Sequence, residues 1–182
     1  MKKTLLLLLI AVSIKSFSQN IGVSDLIKLS KLNLGQAEEL LSSKDWVYLM
    51  GEEETKEKYG RATFAFEKNE ITSQAKSFLD YIFSETENRV RIKIQFDTLE
   101  KYKEYNAELK KIGFDLVDSQ MSKDTIIKFY QFEDYIIEFR VQSDKNTDRS
   151  NETKYRVMLA HKADYGTEFN GNDWKKTIAN NV

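Results

Sequence analysis

The chain has no cysteine and no proline among its 182 residues, one histidine and only seven glycines. Without cysteine there can be no thiol catalysis, no disulfide, no tetrahedral zinc site that needs a thiolate, and no lipid on a cysteine after a cleavage site. Without proline no cis-prolyl step slows folding, and turns fall to Gly, Asn, Asp and Ser. The lone histidine, His161, alternates in phase with Tyr155, Val157 and Leu159, so it is expected to point inward near a strand end as a structural residue. No Gly-x-Ser-x-Gly elbow and no phosphate-cradling glycine motif is present. Neither sign of charge dominates, with 28 basic and 29 acidic residues, so bulk attraction to nucleic acid is not expected.

A long apolar run is also missing, and what stands at the start of the chain is shorter. Met1-Lys2-Lys3, the run Leu5 to Val12 and the small-residue site Ser16-Phe17-Ser18 form the pattern of an export signal, with cleavage expected after Ser18. Ser13 and Lys15 interrupt the run before it reaches the roughly 20 residues of a membrane span. The expected mature protein, residues 19–182, is therefore exported to the periplasm or exterior without a cysteine-linked lipid. Its 164 residues carry a net charge of −4, and a domain of this size buries about 70% of its unfolded surface, enough to fold without a staple. Composition is even and lacks a linker, which predicts a single compact domain.

Periodicity predicts two short N-terminal helices. Ser24 is placed to cap the first, with Leu26, Ile27, Leu29 and Leu32 on one side. Asn33 and Gln36 begin the second as a capping box, followed by Leu34, Ala37, Leu40 and Leu41. A strand over 46–50, a loop over 51–60 and a strand over 61–68 follow, the last alternating Ala62, Phe64 and Phe66 with polar neighbours. Residues 77–84 fit either helical spacing or a strand; their Phe, Tyr and Ile content favours the strand. The clearest alternation is Val90, Ile92, Ile94 and Phe96 against Arg89, Arg91, Lys93 and Gln95. Asp97 and Glu100 then open a helix that carries Leu99, Tyr102, Tyr105, Leu109 and Ile112 to a stop at Gly113, with Lys101, Lys103, Glu104, Glu108 and Lys110 facing water. Strands are expected over 114–120, 125–132, 135–142 and 154–162, with Glu133-Asp134 closing a hairpin.

These elements define an α+β fold, antiparallel sheet packed with helices. Residues 24–97 and 98–162 read as two similar halves of helix plus four strands, because Leu41 and Trp46 match Leu109 and Phe114 at the helix-to-strand junction. One continuous antiparallel sheet covered by helices explains the same order. The order is similar to that of exported beta-lactamase-inhibitor-like modules, which bind partners with an open sheet face; no motif is shared, and no family is claimed on element order.

Several strings resemble sites. Asp144 to Glu152 spaces oxygen ligands as a calcium loop does, but the sixth position is Arg149 where glycine is needed and the twelfth is Tyr155 where glutamate is needed. Asn151-Glu152-Thr153 matches a glycosylation acceptor, which acts only in a eukaryotic secretory route, and Glu52-Glu53-Glu54 sits beside Lys56 and Lys58 as a mixed-charge loop. The candidate binding residues are Arg61, Arg89, Arg91, Arg140 and Arg156, five of the six arginines, all at outward strand positions where guanidinium groups can grip carboxylates or phosphates. Glu67 and Glu138 share that face and offer the plainer role of a cross-strand ladder. Trp174 is expected to dock on the core, or else to anchor a partner.

The reading that follows is a non-catalytic binding module of the bacterial periplasm or exterior. It needs no cofactor and takes a protein or an anionic ligand as partner. The alternatives are an envelope-polymer hydrolase using paired carboxylates among Asp45, Glu52, Asp164 and Glu168, or a structural envelope component.

Overall fold

The structure, a computed structural model, describes residues 20–56, 58–69, 74–145 and 151–165. The expected signal segment, most of the calcium-like string, Glu168 and Trp174 lie outside the described residues. Helices α1 (Val23–Leu29), α2 (Leu34–Ser42) and α3 (Leu99–Ile112) accompany strands β1 (Trp46–Glu52), β2 (Gly60–Lys68), β3 (Ala75–Ser84), β4 (Arg89–Phe96), β5 (Asp115–Ser122), β6 (Thr125–Phe132), β7 (Tyr135–Lys145) and β8 (Asn151–His161). All eight strands join one antiparallel sheet in the order β1-β2-β3-β4-β8-β7-β6-β5. The protein is thus α+β with a single sheet. Among the described residues no helix is long and apolar enough to cross a membrane.

Alternation decides which face each residue takes. Tyr81, Ile92, Leu159, Ile137 and Tyr130 are successive cross-strand partners over β3, β4, β8, β7 and β6. They belong to the main core, which also contains Leu26 and Leu29 of α1, Ala37 and Leu41 of α2, and Tyr105 and Leu109 of α3. The helices therefore cover one face of the sheet. Within this core Phe96 stacks on both Tyr105 and Tyr155, at 5.2 and 5.6 Å between ring centres, so α3 is seated directly on the β4–β8 junction. Residues 77–84 do form a strand, because a helix would have left Tyr81 and Leu79 without the neighbouring strands that bury them.

With so few glycines the turns recruit other residues. Asn88, Lys123 and Glu133 take positive φ in the three hairpins β3–β4, β5–β6 and β6–β7, where a left-handed residue matches the right-handed twist of the strands. Gly113, at φ 106°, ends α3, and the amides of Gly113 and Phe114 both donate to Leu109 O. Only glycine takes that conformation without a Cβ penalty.

The helix starts differ in an instructive way. The Asn33 box forms as expected: Gln36 N donates to Asn33 Oδ1 at 2.9 Å and Asn33 N to Gln36 Oε1 at 3.2 Å. For α3 the cap is Thr98 rather than Asp97, and Leu99 is left half-exposed at the rim. Ser24 does not cap α1, since it lies inside the helix. The cap comes from α3: Glu108 accepts from Val23 N (2.8 Å), Ser24 N (3.2 Å) and Ser24 Oγ (3.0 Å). A Cβ at residue 22 would meet that carboxylate below 3 Å, so any larger residue there would make the Glu108 side chain shift.

Three further expectations about surface placement are corrected. Glu108 faces α1 instead of water, and Lys101 is buried, its ammonium over the Tyr105 ring at 5.5 Å from the ring centre and 3.1 Å from Glu104; lysine hides its aliphatic stem while the charge reaches a partner. His161 is exposed, not inward, because β8 ends there beyond the helical cover; its Nδ1 accepts from Ala163 N at 3.3 Å.

Glu108→Ala is expected to cost about 1–2 kcal/mol in urea denaturation, since it strips α1 of a charged cap made of three hydrogen bonds. Ser24→Ala, which removes one exposed hydroxyl contact, is expected to cost under about 0.5 kcal/mol.

Candidate functional site

The face opposite the helices carries a second, smaller apolar cluster of Phe129, Ile136, Met158, Ala160 and Tyr165. No described helix contributes to it. The strand register brings all five flagged arginines to this face. Arg61, Ile82, Arg91, Ala160 and Ile136 are successive cross-strand partners over β2, β3, β4, β8 and β7. Thr63, Asp80, Lys93, Met158, Glu138 and Phe129 form the next row, and Gln95, Arg156, Arg140 and Ile127 lie in the row beyond. Arg89, two residues before Arg91 on β4, shares its side.

The arginines do not form one open patch, because acidic groups of the chain itself partition them. After β8 the chain turns back over the face, with Asp164 N and Tyr165 N both donating to His161 O. That turn inserts Asp164 against Arg91: Nε to Oδ2 is 2.8 Å and Nη2 to Oδ1 is 2.7 Å, a two-pronged ion pair with both side chains about 95% buried. Arg89 approaches the same carboxylate at 3.4 Å and Glu87 at 2.8 Å. The Tyr59 ring lies 4.8 Å from the Arg91 guanidinium, a cation–π contact that closes the other side. Tyr165 follows Asp164 into the small cluster, where its hydroxyl donates to Glu138 Oε2 at 2.6 Å. The other Glu138 oxygen accepts from Arg140 Nε.

Arg140 and Arg156 are direct cross-strand partners, an arrangement that repels unless each charge is compensated. Arg140 has Glu138, and Arg156 Nε donates to Gln95 Oε1 at 3.1 Å from an exposed position. The ladder offered by Glu138 therefore exists, but along β7 rather than across strands, while Glu67 pairs with Lys76 of β3.

Two further cations stand on this face. Arg61 Nε is buried with no hydrogen-bond acceptor. Lys93 is held below the usual lysine range, first by burial, and also by the charges of Arg61 and Arg91; Asp80 and Glu138 pull the other way. Lys93, Asp164 and Tyr165 were not singled out from sequence as members of a binding surface. Lys93 alternates in phase with Arg91 and was legible as an outward cation; the arrival of Asp164 and Tyr165 depends on a turn with no sequence signature.

Of the carboxylates considered for hydrolysis, Glu168 lies outside the described residues, and Asp45 and Glu52 are not placed as a pair. Asp45 and Glu52 flank β1 at opposite ends, about 20 Å apart along a strand, well beyond the roughly 5–9.5 Å of paired glycosidase carboxylates. Glu52 pairs with Lys58 and Asp164 with Arg91. An open cleft of about 760 Å³ lies between the β1–β2 loop and the β3–β4 turn, bordered by Glu53, Glu54, Tyr59, Glu85 and Glu87. Two of its four acids are engaged: Glu54 accepts from Ser84 Oγ and Glu85 N, and Glu87 from the Tyr59 hydroxyl. Among the described residues no group of three or more acidic or histidine side chains is placed to hold a metal.

Compared with known proteins, the chain matches no family model, no curated protein and no solved structure. Function must be argued from this face alone.

Asp164→Ala is expected to destabilise by about 3–5 kcal/mol, because it orphans a buried guanidinium. Adding Arg91→Met to that variant is expected to restore more than half of the loss in urea denaturation. Tyr81, whose hydroxyl donates to Leu32 O at 2.5 Å, is pushed up to about 12 by burial, and burial likewise raises Tyr105 and Tyr165. Each is neutral in the folded state well above the pH at which it ionises unfolded. The stability they contribute is complete below about pH 10 and lost as pH rises toward 12. Alkaline melting should therefore fall through that window, and less steeply in Tyr165→Phe.

Proposed function

We propose that the protein is an exported, non-catalytic binding module of the bacterial periplasm or exterior, and that it engages an anionic partner with the open face of its sheet. The observation that carries this reading is the run of cations Arg61, Lys93, Arg140 and Arg156 over four strands of a face to which no described helix contributes. A flat sheet face with fixed guanidinium groups suits carboxylates or phosphates, because each side chain is anchored by its strand and presents a planar fork. The apolar floor of Ile127, Phe129 and Met158 supplies contact area beside the charge. The N-terminal pattern of residues 1–18 supports export.

The finer architecture is part of the same proposal: residues 24–97 and 98–162 are pseudo-repeats, each a helix followed by a four-stranded meander. Four correspondences support it. Leu41 and Leu109 are both fully buried, and Trp46 and Phe114 follow each at the same interval. The residue just before each aromatic, Asp45 or Gly113, has positive φ. The first strand of each meander has a register shift three residues beyond its aromatic, between Tyr48 and Met50 and between Leu116 and Asp118. The strand order reads the same from either edge toward the β4–β8 seam. A duplicated unit joined at that seam brings the cation-bearing strands β4 and β8 to the middle of the sheet.

Mature protein, residues 19–182, is expected to bind immobilised polyglutamate or polyphosphate and not polylysine, with binding lost at about 0.5 M salt, where exposed charges are screened. Arg156→Glu is expected to weaken binding at least tenfold, whereas Lys103→Glu on the exposed side of α3 leaves it unchanged. Equal retention of both variants, or equal binding to polylysine, would reject the open face as the surface.

A further inference from the structure

The geometry points to a second docking surface, on the helix side of the sheet and independent of the open face: an acidic amphipathic helix of a partner protein lies alongside α3, over β5 and β6.

The helix side is covered unevenly. Over the edge pair β1–β2, Trp46, Ala62, Phe64 and Phe66 are at most 3% exposed and α2 packs on β1, with Tyr48 the one large apolar side chain left out. Over the opposite edge pair, β5–β6, Leu116 is 55% exposed, Met121 76% and Ile126 41%. All three lie on the helix side, because Leu116 is the cross-strand partner of the core residue Tyr130, and Met121, Ile126, Val141 and the core residue Tyr155 form one row. Helix α3 stops short of them. Its Tyr102 and Tyr105 sit against Phe139 of β7, and only its flank reaches β6, where Lys128 Nζ donates to the Tyr102 hydroxyl at 3.0 Å and the Tyr130 hydroxyl to Asn106 Oδ1 at 3.3 Å. Leu99, half-exposed at the start of α3, extends the apolar strip. A contiguous strip of this kind on a folded surface marks a contact.

Its dimensions suit a helix. Two strands at about 4.8 Å spacing leave roughly 10 Å beside α3, the distance at which one helix packs on the next. Strand β5 has eight residues, about 26 Å, which a helix of about 18 residues spans. An added strand fits less well, since the register shift between Leu116 and Asp118 breaks the regular edge, the device by which sheets avoid edge pairing. A second copy would have to offer one of its own helices, whose apolar faces are already in the core.

Charge selects the sign of the partner. Lys128 borders the strip on β6, and Lys103 and Lys110 share the α3 stripe of Leu99 and Asn106 at three- and four-residue spacing. No position of that stripe is acidic, nor is any helix-side position of β5 or β6. The two acids of β5, Asp115 and Asp118, pair with Gln131 and Phe129 and so lie on the open side. A helix that sets a leucine face on Met121 and Ile126, with glutamates along its flanks, matches both the apolar floor and the cationic rim.

The test is a nuclear magnetic resonance titration of the mature chain, residues 19–182, with a peptide of about 18 residues that carries leucines at helical spacing and glutamates elsewhere, and with the same peptide bearing lysines for glutamates. The glutamate peptide is expected to shift the amides of Leu99, Leu116, Met121, Ile126 and Lys128 saturably and to gain helical circular dichroism, and the lysine peptide to do neither. Met121→Asp, alone or with Ile126→Asp, should weaken binding at least tenfold, with melting temperatures close to that of the parent, and Arg156→Glu on the open face should leave it intact. Absence of saturable shifts along the strip, or indifference to Met121→Asp with Ile126→Asp, overturns the proposal. Shifts confined to the open face and lost with Arg156→Glu overturn it too, while upholding the open-face reading. Phosphatidylglycerol vesicles that bind the chain through Met121 and Ile126 when the peptide does not would assign the strip to a lipid surface. A dimer in sedimentation that Met121→Asp dissolves, with no peptide binding, would assign it to a second copy, and either result overturns the partner helix.

Discussion

The pairing of β4 with β8 is the contact on which the rest of this molecule depends. Arg91 to Phe96 run against Ala160 to Tyr155, joining residues some 60 to 70 positions apart in sequence. A four-stranded meander has two open edges and one apolar face, and closing one edge of each against the other leaves a single sheet with half as many free edges. The helix face of the seam is where Phe96, Tyr105, Tyr155 and Phe139 meet, so α3 is seated only once both meanders are in place. The seam closes a long loop, an entropic cost that the contacts of both meanders must repay.

The opposite side of the same seam concentrates charge. Central strands buried beneath helices on one face must still present alternate residues on the other, and in β4 these are Arg89, Arg91, Lys93 and Gln95. Exposed on a lone strand such cations would be ordinary. In the middle of an eight-stranded sheet they are partly desolvated by Tyr59, Ile82, Met158 and the turn after β8. Desolvation makes compensation obligatory, and the chain supplies it unevenly: through Asp164 for Arg91 and by way of Glu138 for Arg140, while Arg61 Nε is left without an acceptor among the described residues.

Local order was largely legible because it follows local rules. The strands over 61–68 and 125–132, the helix ending at Gly113 and the Asn33 capping box all formed where side-chain period and cap chemistry put them. Where sequence reasoning failed, the deciding partner was remote. Ser24 looked like a cap until Glu108, 84 residues away, took the role, and Lys101 looked solvated but is buried with its ammonium over the Tyr105 ring and on Glu104. His161 kept the inward parity but lost its cover because β8 outruns the helices.

Sequence by itself determined the element types, the face on which each strand residue lies, the absence of thiol chemistry and the outward placement of five arginines. These are properties of period, backbone stereochemistry and composition, which need no knowledge of what lies across the sheet. Only the tertiary structure decided that the strands make one sheet with β4 beside β8, and that Asp164 and Glu138 disarm three of those arginines while Arg61 Nε is left without an acceptor. Pairing partners and charge compensation depend on which distant segment arrives at a given distance, and that is settled by the burial of both meanders around α3, not by any residue's own neighbours in the chain.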